Sequence, residues 1–483
     1  MIEIIKRDGL ARILNFNGEE YPKYLKENEL DEYDIKINER FDFEINNKIL
    51  EKGDIIIIPG SFTKFKDPEN FVKTIMEIRM KYKDKILYLP ASVYAETIPS
   101  ILYLGIDIID DLLPKFIGSW NENYSQMFDY YYNISIKAIK ENRLRTLVES
   151  IPNTFSKTVL RLLDFKYYEE LEKYYPVSGN WLNASHFESL FRPDVERWRK
   201  RIIERYRKPG GRDCLLFLPC SAVKPYSKSK SHRYYKKLIE STNSYFHEVI
   251  LTSPLGIVPR ELENTFPAQS YDIPVTGRWY EDEKVMLIEM VKKYLKINEY
   301  KKKYAFLNDD LKFLKDIFDD ENIEYYFGNL YSEDAKSWFT KTVDGCSKKP
   351  LIQEDINSIS SYQFGVKFEM SKKKVKFIQD DIFIFEENEF LRFNKNIGKI
   401  YPMKLASKIL YENNIYYIKI DFEPKGIIYI PGIIESSNDF RIGDIVVISK
   451  DNDIIGIGES LISSEDIKTF KKGKAVEVKK KFN

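Results

Sequence analysis

Cys214-Leu-Leu-Phe-Leu-Pro219-Cys220-Ser-Ala-Val-Lys224-Pro225-Tyr226-Ser-Lys-Ser229-Lys-Ser231-His232 is the stretch on which the fold turns. Its apolar head, Cys214 to Leu218, is too short for a helix and is bounded by Gly210-Gly211 and Pro219, which predicts a buried strand. A thiol, an amine, a phenol, hydroxyls and an imidazole follow that strand end within one loop. Loops at the ends of strands are where α/β domains bind ligands and do chemistry. The chain has three Cys and three His in 483 residues, and this loop takes one of each.

Working outward, the section from 209 to about 330 alternates. Strands are predicted at Leu215–Leu218, Glu248–Thr252, Lys303–Leu307 and Glu324–Phe327, with helices at Tyr234–Glu240, Val285–Leu295 and Asp310–Phe318. That order predicts a three-layer α/β sandwich. Upstream, Asp54-Ile-Ile-Ile-Ile-Pro59 and Lys85-Ile-Leu-Tyr-Leu-Pro90 predict short buried strands stopped by Pro. Phe71, Val72, Ile75, Met76 and Ile78 share one helical face between them, so a parallel sheet with crossover helices is expected. Helical patterns continue over Arg143–Tyr174 and Phe191–Lys208. Beyond about 331, short alternating runs begin at Gly365, Asp381, Ile415, Gly426 and Asp444, so the rest is expected to be largely β, with a small barrel at its end.

Composition narrows the function. A 43% hydrophobic content with 14% aromatics suits folded cores rather than disorder. No apolar stretch approaches the roughly 18 residues of a membrane span, and charges occupy the place of a signal-peptide core, so a cytoplasmic protein without membrane attachment is expected. Cys214, Cys220 and Cys346 are widely spaced, which argues against a disulfide framework and against a thiolate zinc site; no metal is expected. Net charge is +1, yet Lys372, Lys373, Lys374 and Lys376 cluster, and the C-terminus carries Lys471, Lys472, Lys474 and Lys479. Local basic patches on a neutral chain suit one nucleic-acid partner, and equally a solvated Lys-rich surface.

Three motifs then coincide. Pro219-Cys220-x3-Lys224-Pro225-Tyr226-x2-Ser229-x-Ser231-His232, Thr252-Ser-Pro-Leu-Gly-Ile-Val-Pro-Arg260-Glu261 and Tyr271-Asp272-Ile-Pro-Val-Thr-Gly277-Arg278-Trp279 resemble the signature of the archaeosine synthase family. Leu87-Tyr-Leu-Pro-Ala-Ser and Tyr103–Asp110 resemble the tRNA-guanine transglycosylase barrel, and Ser361–Gly365 resembles a C-terminal domain of archaeal transglycosylases. Gly426-Ile-Ile-Tyr-Ile-Pro431-Gly432, Gly443-Asp444, Gly456-Ile-Gly458 and Lys472-Gly473 resemble a PUA domain, with Gly432, Gly443 and Gly458 expected in tight turns.

The resemblance implies an α/β multidomain protein. A partial TIM-barrel-like, degenerate transglycosylase domain would span 1–208, since a full barrel takes about 250 residues and 1–213 lack the Cys of a transglycosylase zinc site. A three-layer α/β catalytic domain over 209–334, an α+β domain over 335–409 and a PUA-like β-barrel over 410–483 would follow.

The implied reaction is addition of an amine, with free lysine as expected co-substrate, to the nitrile of 7-cyano-7-deazaguanine in tRNA. Glutamine or ammonia stay open as nitrogen sources. A radical SAM enzyme is the implied partner, and a homodimer is carried as a further expectation. No Walker A pattern or Rossmann glycine set occurs, so no cofactor is expected.

Within the motif, its position after a strand and beside Lys, His and Ser suits Cys220 to covalent addition to the nitrile, against the alternative of a buried small hydrophobe, the commonest fate of a free Cys. Lys224 could lower the thiol pKa or hold a phosphate. His232 reads as base or helix-start cap and Tyr226 as proton donor, with Ser229 and Ser231 in the turn. Arg260 with Glu261, and Asp272 with Arg278, are candidates for an amino-acid pocket, or ordinary ion pairs. Trp279 fits the core better than a base stack. Cys214 and Cys346 read as structural, and His186 and His247 carry no signal. The terminal lysines are the candidate phosphate contacts. An active transglycosylase and a non-catalytic tRNA-binding subunit stay open beside the synthase.

Overall fold

The computed structural model describes residues 1–26, 29, 49–58, 67–116, 121–179, 181–274, 277–370 and 372–482. The chain forms two compact units: Met1–Pro176 with Tyr417–Asp453 and Gly458–Lys479, and Val177–Tyr416 with Ile454–Ile457 and Lys480–Asn483. Both are mixed α/β.

In the first unit, a sheet runs in the order Lys23–Leu25, Ile108–Asp110, Ile86–Leu89, Ile55–Ile57, Leu50–Lys52. The expected isoleucine strands pair in parallel, Ile55 with Ile86 and Ile57 with Tyr88; Pro59 lies outside the described residues. The helix between them, Pro68–Lys81, buries the predicted face. Asp67 caps it by accepting from Asn70 N–H at 3.1 Å, and Pro68 supplies a helix-ready first position. The amphipathic helix Glu122–Lys140 adds to the helical stretches that the sequence pattern marks.

A buried charge cluster ties this sheet to the N-terminal hairpin. Asp107 takes two hydrogen bonds from Arg12, at 2.9 and 2.8 Å, and one from Arg79 at 3.1 Å. Burial pushes the Asp107 carboxyl up, but Arg12 and Arg79 outweigh it and hold the group below its usual range. Gly105, at φ +83°, is needed there, because a Cβ would lie 2.8 Å from Arg79 Cδ.

The second sheet of this unit joins the two ends of the sequence. Glu3–Asp8 pairs antiparallel with Ala11–Phe16 and parallel with the last strand, Glu3 opposite Lys472. Arg7 then reaches Asp466, at 2.6 Å, both buried. Among the three glycines expected in turns, only Gly443 has positive φ, +87°. Gly432 and Gly458 instead permit close packing: a Cβ would meet Phe422 at 2.7 Å and Val476 at 2.3 Å respectively.

The second unit carries the motif loop. The elements around that loop are α1 (Pro193–Glu204), β1 (Cys214–Pro219), α2 (Lys230–Ser241), β2 (His247–Thr252), β3 (Gly256–Pro259), α3 (Glu281–Ile297), β4 (Lys302–Leu307) and β5 (Glu324–Phe327). The sheet order is β3-β2-β1-β4-β5, parallel except for β3. Alternation along β1 explains its burial. Cys214, Leu216 and Leu218 cluster with Tyr235, Leu238 and Ile239 of α2 and with Ala335 and Phe339. Phe217, pointing the other way, stacks on Phe318 at 5.9 Å. The chain leaves β1 toward β2 and later returns to β4 on β1's other side, so the carboxyl ends of β1 and β4 flank a topological switch point.

Two expectations fail in this unit. Cys214 and Cys346 form a disulfide with Cα atoms 5.8 Å apart. Sequence spacing conceals this: a lone β-bridge between Tyr245 and Cys346 draws the later cysteine to the start of the sheet. The run from Gly365 is not a strand. Gly365, at φ +77°, ends the helix Ile352–Phe364 by donating its N–H to Ser361 O at 2.9 Å. The strands that follow, Lys374–Ile378, Asp381–Phe385, Glu389–Asn394 and Lys399–Pro402, form an antiparallel meander.

Candidate active site at the carboxyl end of the central sheet

Cys220 is the first residue beyond β1, and it is the free cysteine among the described residues, half-buried. Burial pushes its thiol pKa up; a hydrogen bond from Thr252, the last residue of β2, and the charge of Lys224 pull the other way. The Thr252 hydroxyl also meets Tyr271 Oη at 2.6 Å, and Tyr271 Oη meets Tyr226 Oη at 2.6 Å. A line of three buried hydroxyls therefore ends at the thiol. Burial raises the pKa of both phenols, so they stay protonated donors.

Lys224 is half-buried with Nζ 4.0 Å from the centre of the Tyr271 ring. Burial lowers its pKa, against the stabilising charges of Cys220 and Asp272. A thiol shifted up beside an amine shifted down favours the neutral form of both groups, and a neutral amine can accept a proton.

His232 is buried in the first turn of α2, which Ser229 caps by accepting from His232 N–H at 3.1 Å. Its Nε2 donates to Pro219 O at 3.0 Å, and its Nδ1 accepts from Arg260 Nη2 at 2.7 Å. Burial first and Arg260 second lower its pKa to about 3. The ring is neutral, and both nitrogens are engaged within the protein. Ser231 Oγ lies 3.1 Å from Ser229 Oγ, so both serines belong to the helix start.

Arg260 is no open fork. It donates to Glu248 at 3.0 and 2.6 Å and to Glu263 at 2.9 Å, besides His232. Glu263 in turn accepts from Ser227 N–H at 2.9 Å, which ties the motif loop from below. Glu261 faces away from this group: it accepts from Tyr206 and sits 3.3 Å from His247, whose Nδ1 meets Tyr300 Oη at 2.7 Å. His247, which carries no sequence signal, thus anchors a separate buried cluster. Asp272 and Arg278 are exposed; Val275 and Thr276 between them lie outside the described residues. Trp279 is half-buried, packed on Phe313. In the other unit, Lys471, Lys472, Lys474 and Lys479 are exposed on or beside the last strand, with Lys479 paired to Glu477 and Glu459.

The site thus unites Cys220, Lys224 and Tyr226 and adds Thr252 and Tyr271, which the motifs contain without marking. One signal points to Thr252: like Cys220, it stands at the carboxyl end of a buried parallel strand.

A family described as Domain of unknown function (DUF5591) matches residues 195–337, and the PUA domain matches residues 424–482. Archaeosine synthase subunit alpha of Thermoplasma acidophilum is 32% identical over 461 residues, 90% of this chain and 90% of that protein. The protein of that name from Thermococcus kodakarensis is 28% identical over 96% of this chain and 85% of its own. A tRNA-guanine(15) transglycosylase of Methanosphaera stadtmanae is 25% identical over 66% of this chain and 48% of its own. With the motif loop at the switch point and the first relative matched almost end to end, the chain belongs to the archaeosine synthase family.

Proposed function

We propose that this chain is a tRNA-modifying transferase of archaeosine biosynthesis that builds an amidine on a nitrile-bearing base. Cys220 carries the proposal: a half-buried free thiol at the switch point, hydrogen-bonded by Thr252 and beside a lysine of lowered pKa. Its sulfur adds to the nitrile carbon while its proton passes, through Lys224, to the nitrile nitrogen, giving a thioimidate. The amine donor, free lysine in this reading, adds to that carbon, the C–S bond breaks, and the thiol returns with the proton the amine loses. The Thr252–Tyr271–Tyr226 hydroxyls stabilise charge as it moves across sulfur and nitrogen. His232 and Arg260 act as positioning residues for the loop.

We read the second unit's central sheet and its helices as a three-layer sandwich, and the N-terminal part of the first unit as a remnant of a transglycosylase barrel, which the similarity to a transglycosylase supports. Lys471, Lys472, Lys474 and Lys479 contact tRNA phosphates. Three relatives bear the words "subunit alpha", which supports a second component; we assign that place to a radical SAM enzyme and carry a homodimer as a further assembly.

The test uses tRNA bearing 7-cyano-7-deazaguanine with isotope-labelled lysine, and mass spectrometry of the digested nucleosides. Incorporation of one lysine by the native chain, and none by Cys220→Ala at unchanged tRNA affinity, is expected. Near-native turnover by Cys220→Ala sinks the covalent role, and incorporation of nitrogen from glutamine or ammonium alone sinks lysine as donor.

A further inference from the structure

The reacting thiol has an acidic neighbour on the other side of the switch point. Asp310 lies in the 3-10 turn Asp309–Leu314 that follows β4, the strand beside β1. Its negative charge reaches Cys220 and opposes thiolate formation. Its Oδ2 accepts from Trp279 Nε1 at 3.3 Å, and Trp279 is held against Phe313 with ring centres 5.5 Å apart. Its Oδ1 is shut off from solvent and has no hydrogen-bond partner among the described residues. Lys224 does not supply one: the charges that act on it are those of Cys220 and Asp272.

A desolvated carboxylate oxygen without a partner is costly and calls for an explanation, and beside a reacting thiol the explanation at hand is a cationic ligand that completes it. The complement of this one is a cation with N–H donors, placed next to the thiol. The reaction above brings such a group, since an aliphatic amine arrives as an ammonium. A nitrogen bound as ammonium cannot attack, so a donor that uses Asp310 needs two nitrogens: one kept charged on the carboxylate, the other deprotonated at the thioimidate carbon.

We propose that Asp310 is a specificity residue whose Oδ1 binds the non-reacting ammonium of a diamino donor, with Trp279 fixing the carboxylate. This rests on the reading of Cys220 as the reacting group. Trp279 thereby acquires a task besides packing, since its indole N–H orients the carboxylate.

The experiment compares L-lysine with 6-aminohexanoate, which has the same chain and carboxylate but lacks the α-ammonium. With native enzyme, L-lysine is expected to have a KM, and 6-aminohexanoate a KM or inhibition constant, that differ at least tenfold in favour of lysine. Asp310→Asn keeps the size and an acceptor for Trp279 but removes the charge. It should raise the KM for lysine roughly ten- to hundredfold, the range for a lost charge-assisted hydrogen bond, and leave the 6-aminohexanoate value unchanged. Asp310→Glu should restore part of the preference. Melting temperature and tRNA affinity report folding for each variant. Equal shifts for both compounds, no shift, or a loss of kcat at native KM overturns the specificity role while leaving the Cys220 reading intact. Native enzyme that transfers neither compound overturns the specificity role together with lysine as donor, while the Cys220 reading is decided by Cys220→Ala.

Discussion

Arg260 Nη2 donates to His232 Nδ1 at 2.7 Å, and the opposite ring nitrogen holds the carbonyl of Pro219, the residue before Cys220. Two residues that the motifs suggest for proton transfer and substrate binding therefore form one strut, running from Glu248 and Glu263 to the base of the reactive loop.

Acid sensitivity follows from that strut. His232, with its pKa lowered from 6.5 to about 3, stays neutral where an unfolded imidazole takes up a proton. Between those limits the unfolded chain binds the extra proton, so stability is full above pH 6.5 and falls as pH drops toward 3, by up to about 1.4 kcal/mol per pH unit. Urea midpoints at pH 7 and pH 5 should differ more for the native chain than for His232→Gln. Equal differences would show that the ring is not held neutral.

Lys224→Arg should slow transfer by about 100-fold or more, the lower range for loss of acid–base catalysis. Arginine keeps the charge but cannot give up its proton. Native activity should rise with pH through the lowered lysine pKa, and the variant should lose that rise. A pH–rate profile from pH 6 to 9 checks both, and an unchanged profile would assign Lys224 to binding.

Thr252→Val removes the hydroxyl between Cys220 and Tyr271 without changing size. It leaves Tyr271 short of a partner in a buried place, at a cost of about 1–3 kcal/mol, and it raises the thiol pKa further. Thermal unfolding and the pH dependence of Cys220 alkylation by iodoacetamide measure the two effects separately.

The Cys214–Cys346 bridge closes a separation of 132 residues. Chain-entropy arguments put its contribution at up to about 5 kcal/mol. Cys346→Ser should lower the melting temperature by several degrees, and thiol titration of the denatured native chain should find one reactive thiol before reduction and three after. Three before reduction would refute the bridge.

Replacing Lys471, Lys472 and Lys474 by Ala should weaken tRNA binding and flatten its dependence on salt. The log–log slope should fall by roughly 0.7–0.9 for each phosphate that the protein no longer neutralises. A parallel line at lower affinity would place the lysines outside the interface.

What the residues disclose in advance is local. The run Cys214 to Leu218 could be nothing but a buried strand, and strand-end logic leads from it to Cys220. The same logic applied to the ends of β2 and β4 reaches Thr252 and Asp310, but neither residue type is conspicuous enough to prompt it. Arg260 and Glu261 are adjacent in sequence and face different clusters, because the short 3-10 turn after β3 sends successive side chains apart. The disulfide depends on an isolated bridge between Tyr245 and Cys346, and the Glu248–Arg260–His232 strut on the β2–β3 register and the packing of α2 beside it, none of which hydrophobic period encodes. Gly365 reads as a strand start because a helix-ending glycine and a turn glycine leave the same mark.

The pairing of Glu3 with Lys472 has a consequence for biosynthesis. The hairpin Glu3–Phe16 leaves the ribosome with one edge bare and waits until Lys472 and Gly473 are made before its neighbour exists. Until then its unpaired N–H and C=O groups are available to any passing strand. A nascent chain that stalls before Lys472–Lys481 is made therefore stays exposed along Glu3–Asp8, and synthesis of that strand closes an edge opened long before.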